Sequence, residues 1–118
     1  MKIGTDIIKI SRIERSLEKF GDRFKEKYLT SSEIERTKKI ESLAGLWAAK
    51  EAIAKALGCG IGEALSFHDI EISKTPKGAP CFTLTPNAQK RHCIKESSLS
   101  ISHDGGFAIA VVALTLEQ

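Results

Sequence analysis

The chain reads as an α+β domain in which an antiparallel sheet packs against one long apolar helix. Three observations predict this. Leu43 to Gly58 (LAGLWAAKEAIAKALG) has six alanines and only three charged residues, Lys50, Glu51 and Lys55, so it forms a helix readily and is covered on most sides. Phe107 to Leu114 is an unbroken apolar run suited to the centre of a sheet. Turn signals at Pro76, Gly78 and Pro80, and again at Asp104-Gly105-Gly106, each separate two short strand patterns, giving a hairpin at either end of the second half.

The 118 residues, 42% of them hydrophobic, predict a single domain over 1–118 with enough chain to bury a core. A formal charge of +3 is too weak to imply nucleic acid. Three cysteines (Cys59, Cys81, Cys93) without C-x-x-C spacing argue for free thiols in a reducing cytoplasm. The opening MKIGTDIIKI is too short and interrupted for a signal peptide, and no apolar run approaches a membrane span. The expectation is a soluble, cytoplasmic protein.

The elements follow in order. Lys2 to Ile10 is rich in β-branched residues and reads as a strand, with Gly4, Asp6, Ile8 and Ile10 on one face. Ser11, with Glu14 three residues on, predicts a capped helix whose core stripe is Ile13, Leu17 and Phe20 and whose basic face is Arg12, Arg15 and Lys19. Gly21 ends it. A short basic stretch follows, and Thr30 with Glu33 repeats the capping signal for a polar helix through about Ile40. The apolar helix closes at the glycine loop GCGIG, Gly58 to Gly62. Strands are predicted at Asp69 to Ser73 and Cys81 to Thr85. Thr85-Pro86 opens a short helix to about Cys93, and Leu99 to His103 alternates like a strand before the last turn.

Charges on a covered helix need partners. One reading pairs Glu51 with Lys55, four residues on, as a local ion pair. The other makes them part of a site. Asp6 sits in a strand, where aspartate is uncommon, and it either guards a sheet edge or faces the helix. If the helix packs over this strand, Asp6 and Glu51 meet, and two carboxylates in one pocket call for a cation. Oxygen-only ligation suits Mg²⁺, completed by water and substrate phosphates. Gly58, Gly60 and Gly62 either cap the helix or let backbone N–H groups approach a phosphate, with Lys55 adding a point charge. Ser102 and His103, at a strand end, are placed to donate to an anion. His68 and His92 read as structural. The basic face continued by Arg23, Lys25 and Lys27 is either a solvated surface or a dock for a small acidic protein.

These pieces occur together in one known family. GTDI (Gly4 to Ile7), WAAKEAIAKALGCGIG (Trp47 to Gly62), LSFHDIEI (Leu65 to Ile72) and LSISHDGGFAIAVV (Leu99 to Val112) resemble the holo-acyl-carrier-protein synthase family, the short bacterial 4′-phosphopantetheinyl transferases. The resemblance runs nearly end to end. It implies Mg²⁺-dependent transfer of the phosphopantetheine arm of coenzyme A to a serine of acyl carrier protein. Asp6 and Glu51 would hold Mg²⁺, Lys55 would contact the pyrophosphate, and the glycine loop would line the coenzyme A cleft. Ser102 and His103 would reach the coenzyme from a neighbouring subunit of a homotrimer, and Arg12 and Arg23 would meet the carrier. One departure is visible: Leu46-Trp47 stands where the family usually has a basic residue followed by Phe, which leaves Lys50 as the nearby candidate to supply that charge.

Overall fold

A computed structural model describes all 118 residues. Strand β1 (Lys2–Lys9) pairs antiparallel with β5 (Phe107–Leu116), which pairs antiparallel with β4 (Ile94–Asp104). The order β1-β5-β4 puts the apolar β5 in the middle, as its composition predicts. Strands β2 (Ile70–Lys74) and β3 (Pro80–Leu84) form a separate two-stranded sheet. Both predicted hairpins are present. Helices α1 (Ile10–Phe20), α2 (Asp22–Tyr28), α3 (Ser31–Arg36) and α4 (Ile40–Ala56) follow β1, and α5 (Pro86–His92) lies between β3 and β4.

The register assigns each face of the larger sheet. Gly4, Asp6 and Ile8 stand opposite Val112, Ala110 and Ala108, and the β5 residues of this set are fully buried against α4. Ala44, Ala48, Ala49, Ala52 and Ala54 are buried on α4 as well, so small side chains let helix and sheet come close. The approach is tightest at Gly4, where a Cβ would lie 1.9 Å from the Ala52 carbonyl oxygen. The opposite face is bare: Ile3, Ile7, Ile109 and Val111 are 67%, 60%, 38% and 43% exposed.

Several predicted boundaries move. Ser11 caps nothing. The chain passes directly from β1 into α1 through Lys9, and the Ile10 N–H donates to Gly106 O at 2.9 Å across the β4–β5 turn. Phe20 is 53% exposed rather than core, since it lies at the far end of α1, and the Lys19 ammonium sits over its ring at 5.3 Å. The basic stretch after Gly21 is helical, because Phe24 and Tyr28, one turn apart, pack on Trp47 with centroid separations of 5.8 and 5.1 Å. The Thr30–Glu33 capping box is present, but α3 stops at Arg36, whose guanidinium donates to Ile72 O at 2.9 Å and ties the helix end to β2. Ile40 therefore opens α4. Strand β4 begins at Ile94, five residues earlier than its alternation suggests, because an edge strand keeps its polar Lys95 to Ser98 in solvent.

Candidate active site

Asp6 and α4 meet as the covered-helix reading requires. Lys55 Nζ donates to Asp6 Oδ1 at 2.8 Å and to Thr5 O at 3.2 Å. The i,i+4 partner Glu51 is not its salt-bridge acceptor; Asp6 is. Glu51 lies beside both: burial pushes its carboxyl above the ordinary range, the Asp6 charge pushes it further, and Lys55 pulls the other way. Two carboxylates from β1 and α4 thus share one environment with one ammonium. No histidine, cysteine or further acid joins them, so a cation here would draw on these two carboxylates and complete its shell from other oxygens, water and substrate among them. That hard oxygen set fits Mg²⁺.

The glycine loop is a helix cap first. Gly58 has φ +77°, its N–H donates to Lys55 O at 3.0 Å, and the Cys59 N–H donates to Ala54 O at 3.2 Å, the Schellman pattern. The N–H groups of Gly60 (φ +64°) and Gly62 are also engaged, with Ala54 O and Leu65 O. The loop therefore offers few free donors to an anion. What it offers is open space: apart from chain neighbours, no atom lies within 4 Å of a Cβ built on Gly58, Gly60 or Gly62, just past Lys55.

Ser102 and His103 point to opposite sides of the sheet. Ser102 pairs with Ile109 on the bare apolar face, whereas His103 pairs with the buried Ala108 on the helix side. His103 lines a groove with Lys38, Lys39, Lys74 and Leu46, between the start of α4 and the β2–β3 hairpin. Arg12 and Arg23 are exposed on α1 and α2, and neither has a salt-bridge partner in this chain. His68 and His92 bond the carbonyls of Glu26 and Ala64, which accords with structural roles.

Lys50 does not compensate for Leu46. Its side chain is fully buried and its three protons go to Glu33 Oε1 at 2.7 Å, Tyr28 O at 2.8 Å and Phe67 O at 3.0 Å. Burial lowers its proton affinity, and Glu33 opposes that. Glu33 was legible only as a capping residue. The one signal of its second role is a lysine set in an apolar stripe, a position that demands an acceptor somewhere.

Comparison with known proteins decides the family. Residues 2–112 match the model of the 4′-phosphopantetheinyl transferase superfamily. A holo-[acyl-carrier-protein] synthase from Sulfurovum sp. (strain NBC37-1) is 61% identical over 117 residues, 99% of this chain and 98% of its own length. The chain belongs to this family. Among solved structures, the Helicobacter pylori holo-[acyl-carrier-protein] synthase in complex with coenzyme A superposes with a TM-score of 0.92 at 50% identity, covering 96% of this chain and 99% of that one. The Bacillus anthracis synthase in complex with CoA (3′,5′-ADP) gives 0.79 at 39% identity, covering 96% and 94%. The end-to-end resemblance read from the motifs is thereby borne out, and the chain is a phosphopantetheinyl transferase with that family's α+β fold.

The Glu51 carboxyl has a measurable pH signature. Glu51 holds its proton more tightly in the folded chain than in the unfolded one. Its contribution to stability is therefore complete below the ordinary carboxylate range and is lost as pH rises through the raised value. Glu51→Gln removes that loss, so its melting temperature gains on the parent's as pH goes from about 4 to neutral. Thermal melts in chelator across that window check this; a pH-independent difference would place Glu51 outside a shared pocket.

Proposed function

We propose that this transferase moves the phosphopantetheine arm of coenzyme A onto a serine of apo acyl carrier protein, in support of fatty acid synthesis. The hydroxyl attacks phosphorus, the bond to the bridging pyrophosphate oxygen breaks, and adenosine 3′,5′-bisphosphate leaves. The observation that carries the reading is the Asp6–Lys55–Glu51 cluster between β1 and α4. Phosphoryl transfer demands neutralised charge and alignment more than a covalent nucleophile. Asp6 and Glu51 would hold Mg²⁺, which when bound supplies charge compensation at the phosphates. Lys55 has one proton left after Asp6 and Thr5, enough to meet a phosphate oxygen. Glu51, placed beside Asp6 and Lys55, would take the proton of the attacking hydroxyl, directly or through a water.

The open space around Gly58, Gly60 and Gly62 leaves room for the coenzyme, and His103 with its neighbouring lysines suits an anionic end of it. The exposed Ile3, Ile7, Ile109 and Val111 face supports assembly into a homotrimer in which His103 serves a neighbour's site, with Ser102 beside that contact. Three free thiols support the cytoplasm as its compartment.

Intact-mass analysis of apo carrier incubated with the chain, coenzyme A and Mg²⁺ tests the function. A gain of one phosphopantetheine arm is expected; an unchanged carrier with coenzyme A still bound would make this a binding module. Arg12, exposed and unpaired, is the proposed carrier contact. Arg12→Ala should raise the carrier KM roughly 5- to 10-fold and leave coenzyme A affinity alone. Unchanged carrier kinetics would move docking elsewhere.

A further inference from the structure

We infer that Lys50 is a positioning residue for the transfer, its buried pair with Glu33 setting the rotation of α4 that brings Glu51 to Asp6. The inference rests on the reading of Asp6 and Glu51 as the reacting pair. Helix α4 buries six alanines beside Leu43 and Ile53, and Trp47 docks it on Phe24, Tyr28 and Phe67; these apolar contacts hold the helix but are not directional. Hydrogen bonds are directional, and Lys50 has three of them, to the end of α2 (Tyr28 O), to α3 (Glu33 Oε1) and to the turn at Phe67–Asp69 (Phe67 O).

The anchor is itself fixed. Glu33 Oε1 accepts from Thr30 N–H at 2.8 Å and Oε2 accepts from Ile72 N–H at 2.7 Å, so neither oxygen is loose. Stability alone is a poor reason for such a pair, since well-packed apolar replacements are often neutral or better. Register is a better one. Glu51 follows Lys50 by about 100° around the helix, and a rotation of about 10° swings a side-chain tip by about 1 Å, enough to cost much of a reaction rate.

The test is the neutral double variant Lys50→Met/Glu33→Gln, which leaves no buried charge unpaired and, through the single oxygen of the amide, keeps an acceptor for one of the Thr30 and Ile72 N–H groups. It should fold and keep the carrier KM within about twofold, while kcat falls about 10-fold or more. Binding of Mn²⁺ in the presence of coenzyme A, read from the spin-resonance signal of free Mn²⁺, should weaken about fivefold or more, as expected when the second carboxylate is displaced. Parental kcat and Mn²⁺ affinity in a folded double variant overturn the inference. So does a double variant that fails to fold, because the pair is then a fold determinant. Asp6→Ala, assayed alongside, separates the two levels: normal turnover there removes the site reading itself.

Discussion

Asp6→Ala and Glu51→Ala should each lower kcat by roughly 10²–10³-fold at saturating coenzyme A and carrier, with circular dichroism and melting temperature close to the parent's. The fold should survive because neither side chain is part of the buried core, which is apolar apart from Glu33 and Lys50. The chemistry should not survive. Removing Asp6 takes away one of the two proposed anionic ligands and the acceptor of the Lys55 ion pair. Removing Glu51 takes away the other proposed ligand and the proposed proton acceptor. The two losses are not equivalent, and Glu51→Gln distinguishes them. If that variant binds Mg²⁺ weakly yet turns over normally once saturated, Glu51 is a ligand and not the proton acceptor. Near-parental turnover in either alanine variant would sink the site.

The part of this site that was readable from sequence is the part built by regular patterns. Alternation in β1 puts Gly4, Asp6 and Ile8 on one face whatever the partner is, and 3.6-residue periodicity puts Glu51 and Lys55 together on α4. An apolar β5 needed cover on the helix side, so the meeting of those two sets followed from burial. Motif resemblance then added what no pattern contains: the coenzyme, the carrier and the proposal that Arg12 and Arg23 meet it.

The unreadable part is tertiary. Residues 22–28 (DRFKEKY) are good helix formers but too short a run behind Gly21 to stand as a helix alone, and only Trp47 on another helix gives Phe24 and Tyr28 a reason to share a face. Lys55 offered an obvious partner at i−4, yet a strand residue 49 positions away has its proton. Glu33 announces itself as a capping residue, which it is, while its oxygens also hold Lys50 and the β2 backbone. Ser11 failed in the other direction: its capping signal is sound, but the turn at Gly106 already satisfies the first N–H of α1. Where a local signal and a long-range partner compete for one donor, sequence spacing does not say which wins.

Gly4→Ala should be among the most damaging single-methyl changes this chain can take. In an extended strand alanine costs no backbone strain, so the effect is purely one of space. The added Cβ would stand 1.9 Å from Ala52 O and 2.7 Å from Ala56 N, both backbone atoms of α4 that no side-chain rotation can clear. The helix must lift from β1, and a destabilisation of roughly 3 kcal/mol, at the upper end for overpacking, follows. In a chain of this size that is a fall in melting temperature of roughly 10 °C or more. Activity should fall further than the folded fraction explains, because Asp6 sits two residues on from Gly4, on the same face, and loses its distance to Glu51. Gly62→Ala is the control: a Cβ there meets nothing within 4 Å and its φ is ordinary, so its stability should stay within about 0.5 kcal/mol of the parent. If Gly4→Ala melts with the parent, α4 does not press on β1 here, and the two carboxylates lose the contact that makes them a site.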